Sequence, residues 1–598
     1  MTINDAKKVL KQYWGYDDFR GLQADIIRTA VSGVNTVGLL PTGGGKSICY
    51  QIPGLLYPGL TIVISPLVAL MEDQHNGLVD RGIKSYHFKG SYTPRKLDEA
   101  FRNLRYGNYK FAFFAPERIS NPLFLEYLSH ADISLLAIDE AHCISQWGFD
   151  FRPSYLNVKL LRETLPEVPV IALTASATTR VKRDMLEQLM IADAEVFEGS
   201  IRRPNLLLQA RFTPNKERQL LRLIPTLPGT GIIYAKTRRT CEKLAQLLSE
   251  EGHPSSYYHA GLEDDQKSAH SKAWLNNQVK AMVATTAFGM GIDKGDVKWV
   301  IHWDAPDTLE GYYQEVGRAG RDGSVSTTYL LFHQYDIARL RKAIEELPDV
   351  RAVESFYNKF CSREQIAYGS GEGHKVSFSI LELAKKHQLP IAQLLSYIRL
   401  IQHRGLWQFI ESERSVPKIK LTSQLHVWER LPSKDYELLI AMYRLYPHAA
   451  DDFVRIDLAR FAGMMQQTKA DFEKRLELLH EKGILEYAPE QSASALLFTQ
   501  PRPGAKALKF PAKFIDAWVK SKEERTEGML TFLESESCLF QEIEMYFGQV
   551  KGTPCGTCSN CTRNHYPDQA QVERMQKEGA TLDDIWFDLN CSPDELKS

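Results

Sequence analysis

Four short apolar runs, TIVISPL, FAFFAPE, SLLAIDEAH and VIALTASAT, each end in polar, loop-forming residues and alternate with helical stretches over residues 1–205. Runs apolar on both faces belong in a parallel sheet covered by helices on each side. Ligands of such sheets lie at the carboxyl ends of the strands. The pattern recurs over 206–345 in GTGIIYAKT, SSYYHAGL, AMVATTAFGMG and VKWVIHWDAP. Two such α/β domains in tandem predict a cleft between them.

At 598 residues the chain exceeds what one core supports. Its formal net charge of −1 neither demands nor excludes a nucleic-acid partner, so such contact must rest on a local surface. The opening MTINDAKKVLKQYWGY lacks the apolar core of a signal peptide, and no apolar run reaches the roughly 18 residues a membrane helix needs. Nine cysteines, mostly isolated, point to a reducing compartment, and a cytoplasmic location is expected.

The stretch LLPTGGGKSICYQ carries phosphate chemistry. Gly43, Gly44 and Gly45 let backbone amides turn toward a phosphate without Cβ obstruction. Lys46 supplies a point charge and Ser47 a hydroxyl for Mg²⁺. Leu40 stands where the strict phosphate-loop pattern has glycine, so the loop is a variant. In LLAIDEAH, Asp139 falls at a strand end, where it can hold the Mg²⁺ shell, and Glu140 can polarise an attacking water. Read alone, an Asp-Glu pair is a solvated turn; after the glycine loop it reads as catalytic. YYQEVGRAGRDG in the second domain places Arg318 and Arg321 three apart, able to reach across a cleft to transition-state charge, with Gln314 as a nucleotide sensor.

ISQWGFDFRPSY, residues 144–155, packs four rings into twelve residues. Trp147, Phe149 and Phe151 alternate, so in an extended loop they share one side. Exposed rings stack on unpaired bases irrespective of sequence, and Arg152 can pair with phosphate or reach the nucleotide. The competing reading is a small aromatic core under the DEAH strand.

These segments, in this order, resemble superfamily 2 helicases and more narrowly the RecQ family of DNA helicases. The resemblance runs over about residues 5–335 through FRGLQADII, TGGGKS (Thr42–Ser47), SPLVALMEDQ, DEAHCISQWGFDFRPSY, ALTASAT, RRPN, YHAGL, ATTAFGMGIDK and YYQEVGRAGRDG. It implies two RecA-like domains, 1–205 and 206–345, with ATP and Mg²⁺ between them. It implies adenine recognition by Arg20 and Gln23, and coupling of single-stranded DNA to hydrolysis by the aromatic loop. It also implies 3′-to-5′ unwinding of partially duplex DNA in repair and recombination. Phe149 departs from the family, which usually has histidine there, and the coupling is expected to differ.

RecQ proteins usually carry four zinc cysteines just after the second motor domain, where this chain has only Cys361. The cysteines come later. Cys538 precedes a helical run, and Cys555, Cys558 and Cys561 follow at C-x₂-C-x₂-C. Four thiolates so spaced suit a closed, structural Zn²⁺ site, with a disulfide pair or an iron–sulfur cluster as alternatives. Between motor and metal, LLSYIRLIQHRGLWQF echoes FEKRLELLHEKGILEY when Gly405 and Gly483 are aligned. Helix, glycine and alternating strand predict two consecutive winged-helix-like units, 376–430 and 431–510, the first with a wing turning near Ser412–Arg414. A linker (346–375), a helical zinc-binding module (511–565) and a tail (566–598) complete the expected organisation.

Overall fold

The protein is described from a computed structural model, which covers residues 2–590 except 91, 290–293, 415–416, 423–424, 429, 451–452, 466, 489–491, 505–511 and 564–568. Two compact units result: Met1–Glu345 with Lys520–Ser598, and Glu346–Val519. Among the described residues no helix is long and apolar enough to cross a membrane.

The first unit contains two all-parallel sheets. One holds β1 (Thr36–Leu39), β2 (Leu60–Ile64), β3 (Ser85–His87), β4 (Phe111–Phe114), β5 (Ile133–Ile138), β6 (Val170–Thr174) and β7 (Glu195–Glu198), in the order β3-β4-β2-β5-β6-β1-β7. The other holds β8 (Leu206–Phe212), β9 (Thr230–Tyr234), β10 (Ser255–Tyr258), β11 (Ala281–Ala284), β12 (Val297–His302) and β13 (Ser326–Phe332), in the order β10-β11-β9-β12-β13-β8. β1, β2, β4, β6, β9 and β11 are buried at every position, which is why they read as unbroken apolar runs.

The cysteine module is displaced in sequence but not in space. It covers the edge strand β8: Ser559 N–H donates to Leu208 O at 2.9 Å, Ala210 N–H to Ser559 Oγ at 3.1 Å, and Gln209 Nε2 to Thr557 O at 3.2 Å. Met529, Phe532, Leu539, Phe540 and Phe547 share one buried cluster with Leu206, Leu208 and Tyr313 of the second domain. An exposed sheet edge is thereby capped. Residues 346–519 are thus an insertion after which the chain returns to the motor. The tail, given no role from sequence, holds the helix Leu582–Leu589. Its Asp584, buried, accepts from Arg218, Gln219 and Arg222, and Phe587 enters the second domain's core.

In the second unit the expected linker is largely the helix Val350–Arg363, with Phe356, Tyr357 and Phe360 buried. Tyr357 and Phe360 lie against Trp407, at 5.4 and 5.5 Å between ring centroids. The helix–glycine–strand echo is present at Ile391–His403 and at Lys469–Glu481, with Gly405 and Gly483 at φ 73° and 68°. The two units built on it are not consecutive. β14 (Lys375–Phe378), β15 (Trp407–Arg414) and β19 (Ser492–Phe498) form one antiparallel sheet, while β16 (Lys418–Leu421) pairs with β17 (Val454–Arg455) and β18 (Leu485–Ala488) in another.

The anticipated β15–β16 wing is therefore corrected. β15 runs to Arg414 and pairs with β19, and the second winged-helix-like unit is nested in the connection between them. The alternation along both strands was real, but alternation fixes which face is buried and not which strand is the neighbour. Because Arg414 pairs directly with Ser492, replacing 415–491 by an Asn-Gly turn should leave the outer sheet and its helices folded. A cooperative thermal transition for the remaining 346–519 segment is expected; its loss would contradict the nesting.

Candidate active site

β1 delivers the chain to the phosphate loop, where Leu40 N–H still pairs with Thr174 O at 3.0 Å. The loop then turns through Gly43 (φ 82°) and Gly45 (φ 72°), which starts the helix Lys46–Leu56. Both angles lie where a Cβ is costly, so glycine is required. Gln23, buried, donates through Nε2 to Gly44 O (3.0 Å) and Gly45 O (3.2 Å), while its Oε1 accepts from Arg20 N–H at 2.9 Å. Tyr16, Arg20, Gln23 and Gly43–Gly45 with Ser47 line a cavity of about 390 Å³, within the size range of small-molecule sites. Arg20 lies over the Tyr16 ring at 5.4 Å.

β5 ends at Ile138 and presents the carboxylates. Asp139 is 8% exposed, and burial together with the Glu140 charge pushes its carboxyl up to about 7, with Lys46 pulling the other way. Glu140 takes φ 46°, a strained conformation for a residue with a side chain, costing about 1 kcal/mol or more. Its Oε2 is buried without a hydrogen-bond partner. The Asp139 carboxylate and the orphaned Glu140 oxygen are oxygen donors of the kind a hard dication takes, and the Lys46 charge beside Asp139 suits the phosphates such an ion accompanies. His142 lies 3.4 Å from Glu140 Oε2, its Nδ1 bonds Thr174 Oγ1 at 2.7 Å, and burial holds its pKa low. Tyr155 Oη fixes the strand end by donating to Asp139 O at 2.8 Å.

The second domain reaches the same place. A methyl group added to Gly43 would meet Arg321 Cγ at 3.2 Å, so the arginine's stem lies on the phosphate loop. One added to Gly317 would meet Thr42 at 3.0 Å. Arg318 is buried beside Gly289 and Tyr234, and Gln314 is half-buried on the helix Leu309–Val316. The arginine turn is held from below: Arg203 donates to Gly317 O (2.8 Å) and Gly320 O (2.6 Å), and Asn205 Nδ2 to Gly320 O (2.8 Å) and Ser324 O (2.9 Å). The RRPN segment thereby acquires a role that its sequence did not signal, because its targets are carbonyls more than a hundred residues away.

The aromatic-rich segment is a series of turns and not an extended loop, so its alternation does not put the rings on one side. Trp147, Phe149, Phe151 and Arg152 are half-buried, and Tyr155 is core. Phe149 stacks on His142 with centroids 5.3 Å apart and planes 9° from parallel. Trp147 lies under Arg180 at 4.0 Å. Arg152 donates to Pro66 O at 2.8 Å and faces Asp150 at 3.5 Å. Gly148, Pro153 and the charged residues break the period, and the sequence already contained that signal.

Cys538, Cys555, Cys558 and Cys561 bring their sulfurs within 4.8 Å of one another. Backbone N–H groups point at them: Leu539 to Cys558 (3.4 Å), Cys555 to Cys538 (3.2 Å), and Thr557 and Cys558 to Cys555 (3.4 and 3.2 Å). Burial raises the Cys555 thiol, but the Thr557 N–H and hydroxyl, the Cys558 N–H and the Cys538 thiol outweigh it and lower its pKa to about 6. Donors aimed at three of four converging sulfurs suit thiolates around a metal.

Paired parallel sheets with these loops define the two-domain helicase fold. Residues 20–184 match the DEAD/DEAH box helicase family, 215–323 the helicase conserved C-terminal domain, and 513–562 the RecQ zinc-binding module. The ATP-dependent DNA helicase RecQ of Bacillus subtilis is 42% identical over 347 residues, 58% of this chain and 59% of that protein. RecQ of Pasteurella multocida is 40% identical, over 58% of this chain and 55% of that protein. The probable ATP-dependent DNA helicase RecS of Bacillus subtilis is 40% identical over 356 residues, 59% of this chain and 71% of that protein. The chain belongs to the RecQ family. It spans little more than half the length of the two RecQ proteins, and its four clustered cysteines are the family's zinc site.

Phe149 presents a flat, proton-free ring to His142 where a histidine would add a titratable donor. Phe149→His is expected to change the factor by which single-stranded DNA stimulates ATP turnover; an unchanged factor would contradict the coupling assigned to this stack.

Proposed function

We propose that the chain is an ATP-dependent DNA helicase that translocates 3′-to-5′ along one strand and separates duplexes during repair and recombination. The observation that carries this reading is the Arg321 stem on Gly43, in a domain that also holds buried Asp139 and half-buried Glu140 at the end of β5. Adenine occupies the cavity beside Tyr16, Arg20 and Gln23. The triphosphate lies on the amides of Thr42–Gly45, with Lys46 neutralising its oxygens and Ser47 and Asp139 holding Mg²⁺. Bound there, Mg²⁺ neutralises charge on the phosphates. Glu140 orients the attacking water, and Arg318 and Arg321 stabilise the charge that develops on the transferred group. Gln314, half-buried ahead of both arginines, senses the nucleotide. Zn²⁺ held by Cys538, Cys555, Cys558 and Cys561 serves structure, since all four ligand positions are thiolates.

Hydrolysis removes the group that the arginines and the phosphate loop share, so each turnover loosens the two domains and ATP draws them together. DNA is the partner expected on the surface next to Trp147, Phe149, Phe151 and Arg152, whose position beside the DEAH residues would pass strand contact to Glu140.

Lys46→Ala should lower ATP turnover by about 100-fold or more while leaving single-stranded DNA affinity nearly unchanged. Turnover measured with DNA and RNA oligonucleotides, alongside strand separation, checks the reading. Wild-type turnover in the variant, or stimulation by RNA alone, would contradict it.

A further inference from the structure

The helix Ala512–Glu534 leads to the zinc cysteines, yet one of its faces closes on the aromatic-rich turns of the first domain. Ser521, Glu524 and Arg525 are spaced i, i+3, i+4 and share that face. Arg525, 8% exposed, donates from Nη1 to Gly148 O at 2.8 Å and from Nε to Ser521 O at 3.0 Å. Ser521 Oγ donates to Trp147 O at 3.3 Å. Glu524 Oε2 lies 3.8 Å from Arg180 Nη1, and Arg180 is the cation over the Trp147 ring. Two consecutive carbonyls of the turn and the cation above its tryptophan are therefore all held by one helix.

The guanidinium has a second neighbour. Buried Glu310, whose charge acts on it, stands in the first turn of the helix Leu309–Val316, which carries Gln314 and runs into Arg318. Phe532, further along the zinc-module helix, packs on Tyr312 with ring centroids 5.0 Å apart. Burying a guanidinium costs several kcal/mol unless its partners compensate. The zinc module is fastened independently of it by the bidentate pair Arg202–Glu544 (3.0 and 3.1 Å) and by its bonds to β8. The remaining consequence of this buried charge is the placement of Trp147 and Gly148 relative to the arginine helix.

We propose that Arg525 is a positioning residue through which the zinc module fixes the aromatic-rich turn against the helix Leu309–Val316, and so sets how strongly single-stranded DNA stimulates ATP hydrolysis. The proposal rests on the helicase reading. Its hydrogen bonds among the described residues go to Ser521 and Gly148, not to the phosphate loop or the carboxylates. Its removal therefore acts on coupling and leaves DNA-free hydrolysis in place. Lysine can reach one carbonyl but lacks the planar fork that bonds two at once.

The test uses the full chain with Arg525→Gln, Arg525→Lys and Ser521→Ala, measuring zinc content, thermal midpoint, ATP turnover without DNA and turnover across an oligo-dT titration. Arg525→Gln should retain zinc and DNA-free turnover while its maximal stimulation falls about tenfold, the worth of one charge-assisted hydrogen bond. Arg525→Lys should fall between it and wild type. Wild-type stimulation in a zinc-loaded Arg525→Gln chain overturns the proposal. If that variant loses zinc or melts early, Ser521→Ala decides: a drop of about threefold supports the proposal, and unchanged stimulation overturns it. A wild-type chain that DNA does not stimulate at all overturns the helicase reading and this proposal with it.

Discussion

The site depends on the approach of a cation from one domain to a glycine in the other. Arg321 rests against Gly43, and any side chain at that position would push it away. This is why the phosphate loop needs its glycines twice over. They permit the left-handed turns that aim amides at a phosphate, and they leave room for the opposing domain to come close. With Lys46 directly after the loop and Arg321 against Gly43, positive charge from both domains gathers at one place, as the proposed triphosphate site requires.

Positioning of that charge is spread through the second domain. Arg203 and Asn205 hold the arginine turn by its carbonyls. His302 Nε2, paired with Glu315 Oε2 at 2.8 Å, and Tyr313 Oη, donating to Ile201 O at 2.9 Å, anchor the helix before it. The zinc module adds a further layer, since its core residues pack with Tyr313 and its long helix grips the turn at Trp147 and Gly148. Motor and metal thus form one packed body despite the intervening 346–519 segment.

The elements that were legible from sequence are those whose signal is local. Apolar runs of four to six residues marked eight of the thirteen parallel strands, and glycine spacing marked the phosphate loop. Cys538 and the C-x₂-C-x₂-C run gave the metal site, because thiols so spaced have few other uses. What was not legible depends on contacts distant in sequence. β15 and β16 follow one another and both alternate, yet they join different sheets because β19 and β18, some 70 residues on, compete for them. The rings at 147, 149 and 151 alternate too, but turns around Gly148 send Trp147 to Arg180 and Phe149 to His142. Arg525 carries no motif at all, and only its burial against Gly148 O draws attention to it.

Whether the two domains share the nucleotide is read from hydrolysis under single-turnover conditions, measured beside nucleotide affinity in Arg321→Ala. If the guanidinium completes the site from across the domain boundary, the rate should fall about a thousandfold or more while affinity shifts by less than about tenfold. A variant that hydrolyses ATP at the wild-type rate would mean that the two domains do not share the nucleotide.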